Sequence, residues 1–260
     1  MNGAPPGPTG IVLEAIGVSR AFGGVTAVDN VDLEVTRGQC VGLIGPNGAG
    51  KSTLLNVLAG AERPDSGRVR FDGRDVTRLP AYRRARLGLI RTFQIASEFP
   101  NLTVLENLIA ADPARRLNSL AAAMLPPLWR ASERAALERA NNLLRGIRLD
   151  DMGDELAGTL SGGQRRLVEI VRALMANPKV LLLDEPTAGV DPGRILEVED
   201  YIKEVQRSGV TILMVEHQLE VVNRICDIVH VMAEGRIIAS GTLDAVRQQE
   251  EVVAAYVGKS

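Results

Sequence analysis

Residues 45–53 read Gly-Pro-Asn-Gly-Ala-Gly-Lys-Ser-Thr and match the pattern G-x-x-x-x-G-K-[ST]. The stretch follows an apolar run at residues 40–44 and precedes a predicted helix. Its three glycines allow the backbone to curl so that N–H groups point inward, and the N-terminus of the helix adds positive potential. The sequence therefore predicts a phosphate-binding loop between a buried strand and a helix.

Three side chains of this loop carry the predicted chemistry. Lys51 reaches the β- and γ-phosphates, Ser52 binds Mg²⁺ and Thr53 adds a hydroxyl contact. A glycine-rich turn that merely caps a helix is the alternative interpretation. The predicted binding residues of the loop are Gly45, Pro46, Asn47, Gly48, Ala49, Gly50, Lys51, Ser52 and Thr53.

Two adjacent carboxylates, Asp184 and Glu185, follow the apolar run Val-Leu-Leu-Leu. They stand at the C-terminal end of a predicted buried strand, which is where open α/β sheets bind ligands. Beside a phosphate-binding loop, Asp184 is predicted to order Mg²⁺ and Glu185 to polarise the water that attacks the γ-phosphate. A carboxylate pair that caps the next helix remains the alternative.

The apolar pattern predicts an α/β fold. The runs that end at Ile44, Leu183 and Val215 are almost continuously apolar, which favours parallel strands covered on both faces. The β pattern is absent from residues 103–175, and residues 132–144 are predicted to be helical. Strands are predicted at residues 11–18, 31–35, 40–44, 68–71, 180–183, 210–215, 228–232 and 236–239.

This pattern also suggests the domain organisation. Residues 1–10 are expected to form a flexible leader, residues 11–91 and 162–260 a core, and residues 92–161 a mostly helical insertion. The insertion leaves the sheet after Arg91 and returns before Val180.

Composition excludes several classes of protein. Apolar residues make up 45% and charged residues 24% of 260 residues, a balance typical of a globular domain. A net charge of -2 argues against general nucleic-acid binding. No apolar run reaches the length of a membrane-spanning helix. Cys40 and Cys226, in a predicted strand and helix, are expected to be reduced structural thiols.

The pentapeptide Leu160-Ser-Gly-Gly-Gln164 lies between the phosphate loop and the carboxylate pair. With this pentapeptide, the chain resembles the ATP-binding-cassette (ABC) ATPases over nearly its full length. Locally, Ser161 is predicted to cap a helix. The resemblance implies a P-loop NTPase core with an antiparallel β subdomain and a helical insertion. It also implies a head-to-tail homodimer or heterodimer, in which Ser161, Gly162, Gly163 and Gln164 close on the γ-phosphate of ATP held by the other subunit.

The resemblance assigns two further residues to catalysis. Gln94, in Arg-Thr-Phe-Gln, matches the glutamine that contacts Mg²⁺ and the attacking water, and a solvated loop glutamine is the alternative. His217 follows a predicted strand and matches the switch histidine that touches the γ-phosphate, and a structural histidine is the alternative.

Two more residues are matched to nucleotide and dimer contacts. Asp191 matches the loop that crosses the dimer interface, although an aspartate that caps a helix before Pro192 is also plausible. Phe22 matches the aromatic residue that stacks on adenine, and a core phenylalanine is the alternative. His230 lies inside an apolar strand and is predicted to be structural.

Four segments resemble the ATPase subunits of branched-chain amino-acid importers, although the chain departs from their common form in Ser-Gly-Gly-Gln and in Tyr-Val-Gly. The resemblance implies multispanning permease subunits as direct partners and a solute-binding protein as an indirect one. It also implies a position at the cytoplasmic face of the cell membrane. Phe99, Leu102 and Val104 are expected near the groove for a permease helix. The four segments are residues 22–29, residues 91–94, the Ala-rich insertion and the tail at residues 253–258.

Other functions stay open at this point. The substrate could be another amino acid, an amide or urea, or the system could export lipid. A soluble ABC ATPase of DNA repair or translation is a rival, but such proteins usually carry two cassettes or a long coiled coil, and this chain has one phosphate loop and no sustained heptads. A kinase with the same loop would lack residues 160–164. An interaction protein with a dead site would not need the complete set of catalytic residues.

Overall fold

The computed structural model describes residues 10–92, 99–113 and 126–257. The chain divides into two compact units, and the predicted helical insertion lies within the second. The predicted leader falls outside the described residues except for Gly10. The first unit comprises Met1–Arg91, Lys179–Pro186 and Ile202–Ser260, and the second comprises Thr92–Pro178 and Thr187–Tyr201.

Two sheets form the framework of the first unit. The strands of the described residues are β1 (Ile11–Phe22), β2 (Val25–Thr36), β3 (Cys40–Ile44), β4 (Ser66–Phe71), β5 (Arg74–Asp75), β6 (Leu89–Arg91), β7 (Val180–Asp184), β8 (Thr211–Val215), β9 (Ile228–Ala233) and β10 (Arg236–Gly241). One sheet is antiparallel, in the order β2-β1-β4-β5, and the larger one has the order β10-β9-β3-β8-β7-β6.

The first two strands are longer than the sequence predicted. They pair from Ile11 opposite Thr36 to Phe22 opposite Val25 and are joined by Gly23 and Gly24. Both glycines have positive φ angles, 52° and 87°, as a tight two-residue hairpin turn requires. Polar residues in the first half of β2 had hidden this pairing.

The larger sheet is parallel except for the pairing of β10 with β9, which confirms the predicted parallel strands. Asp184 at the end of β7 lies opposite Val215 at the end of β8, and Ile44 at the end of β3 lies opposite Val231. The loops that follow β3, β7 and β8 therefore leave the same edge of the sheet. The edge strand β6 was not predicted, because three residues are too few to show a pattern.

The helices confirm the α/β class. Helix α4 (Pro126–Gly146) includes the predicted residues 132–144. Between residues 103 and 175, the only β structure in the described chain is an isolated bridge between Thr103 and Leu156. The helices of the described residues are α1 (Lys51–Ala59), α2 (Ala81–Leu87), α3 (Val104–Ala111), α4 (Pro126–Gly146), α5 (Gly162–Leu174), α6 (Ile195–Arg207), α7 (Leu219–Ile225), α8 (Leu243–Arg247) and α9 (Glu250–Val257).

Helix α1, which follows the phosphate loop, is held by its apolar face and by its C-terminal end. Its apolar residues Leu54, Leu55 and Leu58 lie in the core of the first unit together with residues of both sheets. At its C-terminal end, the buried guanidinium of Arg84 donates to the carbonyls of Val57 and Leu58, each at 2.7 Å. These bonds satisfy carbonyls that a helix end leaves without partners. Burial lowers the pKa of Arg84 to about 10.

Both cysteines are free thiols. Cys40 is buried in β3, as predicted, but Cys226 is half-buried and directly follows α7 rather than lying inside a helix. Within the described ranges, no helix combines the length and the apolarity that crossing a membrane requires.

Candidate active site

The backbone of the phosphate loop is fixed by close contacts that only glycine permits. A Cβ at Gly45 would lie 2.0 Å from the carbonyl oxygen of Met232, and a Cβ at Gly50 would lie 2.1 Å from that of Ala27. Both glycines have positive φ angles, 146° and 99°. The loop is thus pressed against β9 and β2, and its N–H groups precede the N-terminus of α1, which has no side-chain cap.

Lys51 lies across this loop rather than in solvent. Its Nζ donates to the carbonyl of Gly45 at 2.8 Å and to that of Pro46 at 2.9 Å. A lysine ammonium has three donors, so these two bonds leave one for an anion. Burial lowers the pKa of Lys51, while the nearby carboxylates of Glu185 and Asp184 act in the opposite direction. Ser52, in contrast, is exposed in the first turn of α1.

Asp184 is a buried carboxylate with one oxygen paired and one not. Its Oδ2 accepts a hydrogen bond from Arg91 Nη2 at 2.8 Å, and the other arm of Arg91 contacts Asn56 of α1. Its Oδ1 is buried and has no hydrogen-bond partner among the described residues. A buried hydrogen-bond acceptor without a protein partner is a position at which an ion or a water molecule can bind. A carboxylate oxygen, with the hydroxyl of Ser52 in the loop of the same unit, is a donor set that suits Mg²⁺.

Glu185 has a strained backbone beside this carboxylate. Its φ angle is 48°, a left-handed conformation that costs a non-glycine residue about 1–3 kcal/mol. The residue is held by a bond from its N–H to the carbonyl of Val215 at 2.9 Å. Its Oε1 lies 3.0 Å from Nε2 of His217. The structure thus brings together two side chains that the sequence predicted as catalytic.

His217 is positioned by its neighbour Glu216, whose buried Oε2 accepts the backbone N–H of His217 at 2.9 Å. His230, which the sequence predicted to be structural, lies 2.7 Å from Ser240 Oγ and 3.3 Å from the carbonyl of Glu34. Burial lowers the pKa of His230. His217 therefore lies in the loop that follows β8, whereas His230 lies inside β9.

Phe22 is not a core residue, because 43% of it is exposed at the end of β1. The guanidinium carbon of Arg20 lies 4.5 Å from the centroid of its ring. Arg20 is in turn paired with Asp65 at 2.7 Å and Glu62 at 3.2 Å. This arrangement holds an accessible aromatic ring in place, as base stacking requires.

In the second unit, Ser161 caps α5 as predicted. Its Oγ accepts the N–H of Gln164 at 3.4 Å, and Gln164 Oε1 accepts the N–H of Ser161 at 2.9 Å. Asp191 also has a capping role, since its Oδ1 accepts the N–H of Gly193 at 2.9 Å in the turn Pro192–Arg194. That role was the alternative interpretation of Asp191, and a contact with another subunit does not conflict with it.

The residues expected near a permease groove differ in exposure. Phe99 is 58% exposed, whereas Val104 is fully buried. Leu102 is half-buried. Gln94 lies outside the described residues.

Sequence reasoning missed several residues that shape the site. Arg91 was predicted only as part of the segment 91–94, and no role was predicted for Asn56 or Glu216. Tyr256 of α9 was predicted only as part of the tail, and its hydrogen bond with the backbone of Gly45 was not; burial raises the pKa of Tyr256, although this hydrogen bond acts in the opposite direction. The position of Arg91, at the point where the chain was predicted to leave the sheet, was a local indication that it could pair with Asp184.

Comparison with known proteins gives a consistent result. A family model described as ABC transporter matches residues 28–188. The high-affinity branched-chain amino acid transport ATP-binding protein BraF of Pseudomonas aeruginosa is 39% identical over 252 residues, which cover 96% of this chain and 98% of that protein. The probable branched-chain amino acid transport ATP-binding protein LivG of Methanocaldococcus jannaschii is 38% identical, with 95% and 98% covered.

Solved structures agree. The ADP conformation of an ATP-binding cassette of an ABC transporter superposes with a TM-score of 0.84 at 37% identity, covering 96% of this chain and all of that one. A dimeric bacterial ABC transporter cassette superposes with a TM-score of 0.75 at 26% identity, covering 89% of this chain and 98% of that one.

Proposed function

The chain belongs to the ABC transporter family, and we propose how its residues bind ATP, hydrolyse it and couple hydrolysis to transport. The chain is the ATP-binding and ATP-hydrolysing subunit of an ABC transporter. The observation that best supports the proposed chemistry is the 3.0 Å contact of Glu185 with His217, next to the buried carboxylate of Asp184.

Binding begins at the phosphate loop. Backbone N–H groups of the loop and of the N-terminus of α1 receive the phosphates, and Lys51 donates its remaining proton to a β- or γ-phosphate oxygen. Phe22 stacks on adenine. Ser52, the unpaired Oδ1 of Asp184 and Gln94 would hold Mg²⁺, which would neutralise charge on the phosphate oxygens.

Hydrolysis is the task of Glu185. Its carboxylate accepts the proton of the water that attacks the γ-phosphate, and Gln94 helps to orient that water. His217 contacts the γ-phosphate and holds the Glu185 carboxylate in place. The left-handed backbone of Glu185 supports this assignment, because strained residues persist where a function requires the geometry.

A dimer completes the site. In this arrangement the N-terminus of α5, with Ser161, Gly162, Gly163 and Gln164, binds the γ-phosphate of ATP held by the loop of the other subunit, and Asp191 contacts the interface. The dimeric form of a related cassette supports this arrangement.

Transport follows through partners. The relatives named as branched-chain amino acid transport proteins support import of branched-chain or related amino acids. We place the subunit at the cytoplasmic face of the membrane, bound to permease subunits that receive solute from a binding protein. Phe99, exposed on the second unit, is proposed as a permease contact.

Replacement of the proposed base tests this function. Glu185→Gln keeps the shape of the side chain but removes its basicity, so turnover is expected to fall by roughly 10² or more while ATP binding survives. Unhydrolysed ATP should then convert monomers to dimers on a sizing column, and Ser161→Arg in the same chain should prevent this. Glu220→Gln, on the exposed face of α7, is the matched control. Turnover at the wild-type rate in Glu185→Gln would falsify the proposal.

A further inference from the structure

The hydroxyl of Ser161 has a second neighbour that the proposed function does not use. Arg194 Nη1 donates to Ser161 Oγ at 3.2 Å. Both residues belong to the second unit. The backbone of Arg194 is fixed by the turn that Asp191 caps, since the N–H of Arg194 donates to the carbonyl of Asp191 at 2.8 Å. The guanidinium is therefore directed to the N-terminus of α5 by its local fold.

This contact sets the orientation of the hydroxyl. Ser161 Oγ accepts one hydrogen bond from the N–H of Gln164 and another from Arg194. A serine oxygen has two acceptor positions and one hydrogen. With both acceptor positions occupied, the hydrogen is left to donate, which is the role that a phosphate oxygen requires. The capping box with Gln164 satisfies the helix end already, so the cap does not explain Arg194.

Charge gives a second reason for an arginine here. An open depression around Ser161 is also lined by Gly162, Gly189, Asp191, Arg194 and Glu197. Its two carboxylates would repel a phosphate. Arg194 is the one cation among its lining residues. Its contact with Glu197 is a long one of 3.8 Å, and 41% of its side chain stays exposed.

Backbone lies against backbone at the base of the depression, because a Cβ at Gly162 would lie 2.8 Å from the carbonyl oxygen of Gly189. Glycine at position 162 therefore keeps a side chain out of the first turn of α5 beside Ser161.

We infer that Arg194 is a further binding residue of the second anion site and that it contacts the terminal phosphate of a nucleoside triphosphate held by the partner subunit. This inference rests on the proposed dimer. It adds to that dimer a positive charge and a fixed donor orientation for Ser161. Because a terminal phosphate is what distinguishes ATP from ADP, Arg194 contributes to the ATP dependence of dimer formation.

The test uses the full chain with Glu185→Gln, so that ATP persists. Sedimentation velocity over a series of protein concentrations gives the dimer dissociation constant with ATP and Mg²⁺. Adding Arg194→Met is expected to raise this constant at least about tenfold, because a hydrogen bond to a charged group is lost at each of two sites. Arg194→Lys, which keeps the charge, should recover part of the affinity. Arg207→Met, an exposed arginine at the far end of α6, should change nothing.

Separate measurements distinguish the possible failures. Fluorescent-ATP titration at dilute protein should give the same affinity with and without Arg194→Met, and the urea midpoints should agree. A dimer constant unaffected by Arg194→Met would overturn the inference and leave the proposed function intact. A Glu185→Gln chain that stays monomeric with ATP at every concentration would overturn the dimer and the inference together.

Discussion

Arg91 Nη2 lies 2.8 Å from Oδ2 of Asp184, so the last residue of β6 neutralises the carboxylate that ends β7. The side chain of Asp184 is fully buried and that of Arg91 is 12% exposed. Removal of one partner from a buried ion pair leaves an uncompensated charge and costs about 3–5 kcal/mol. We expect Arg91→Met to lower the free energy of unfolding by that order, as measured in urea without nucleotide.

Two controls isolate the ion pair. Arg91→Met combined with Asp184→Asn removes both charges and should regain most of the lost stability. Lys179→Met removes one partner of the more exposed pair with Asp72, and exposed pairs contribute only about 0–1 kcal/mol. A urea midpoint for Arg91→Met equal to that of the wild type would contradict the prediction.

Lys51→Ala removes the only side-chain cation of the phosphate loop. The loop amides remain, so binding should weaken rather than change its site. A hydrogen bond to a charged group contributes about 1.5–3 kcal/mol, which corresponds to a loss of ATP affinity of roughly tenfold to a hundredfold or more. Equilibrium titration with Mg-ATP measures this, with Lys203→Ala on α6 as control. Unchanged affinity would count against the phosphate assignment.

Phe22→Ala tests base stacking. Stacking of a base on an aromatic ring is worth about 1–3 kcal/mol, so the affinity for ATP should fall about tenfold, whereas Phe22→Trp should retain it. Every base has a π-face, so GTP affinity should fall by a similar factor. If Phe22→Ala bound ATP as tightly as the wild type, adenine would have to be held elsewhere.

The phosphate loop and the pair Asp184 and Glu185 could be predicted because their signals are local. Each consists of an apolar strand followed at once by polar residues at a fixed spacing. A strand and a helix flank the loop as the motif requires, so the local sequence was sufficient to place it in the fold.

The partners of these residues could not be predicted, because they depend on pairings distant in sequence. Arg91 meets Asp184 only because β6 pairs with β7 in a register that places Arg91 opposite Leu182. Arg194 meets Ser161 through a turn that no short pattern specifies. Glu185 likewise bonds to the carbonyl of Val215 on a neighbouring strand, a pairing that no local pattern specifies.

We expect the buried His230 to make the free energy of unfolding depend on pH. Burial lowers the pKa of His230 below its ordinary value of 6.5, although a hydrogen bond with Glu34 acts in the opposite direction. Just below pH 6.5 the unfolded chain therefore binds more protons at this residue than the folded one, and stability falls as the pH falls. Urea unfolding between about pH 7 and pH 5 should show this slope, and His230→Gln should reduce it. An identical slope in the variant would rule His230 out as its source.

Phe99 is proposed to contact the permease, and its surroundings support a role other than folding. Its backbone is held by Asn107, whose Oδ1 accepts the N–H of Phe99 at 3.0 Å and whose Nδ2 donates to its carbonyl at 3.1 Å. The ring itself is largely exposed. Because the ring is not part of the core, its substitution should cost little folding stability.

Phe99→Ser should therefore separate coupling from chemistry. The substitution removes apolar contact area that a permease helix would use, so transport by the assembled complex in vesicles should fall far more than the ATPase activity of the isolated subunit. Leu137→Ser on α4, also exposed in the second unit, controls for the loss of an apolar surface residue and should leave both activities near wild type. Equal loss of transport and ATPase activity in Phe99→Ser would instead assign Phe99 to folding, because a destabilised subunit loses both at once.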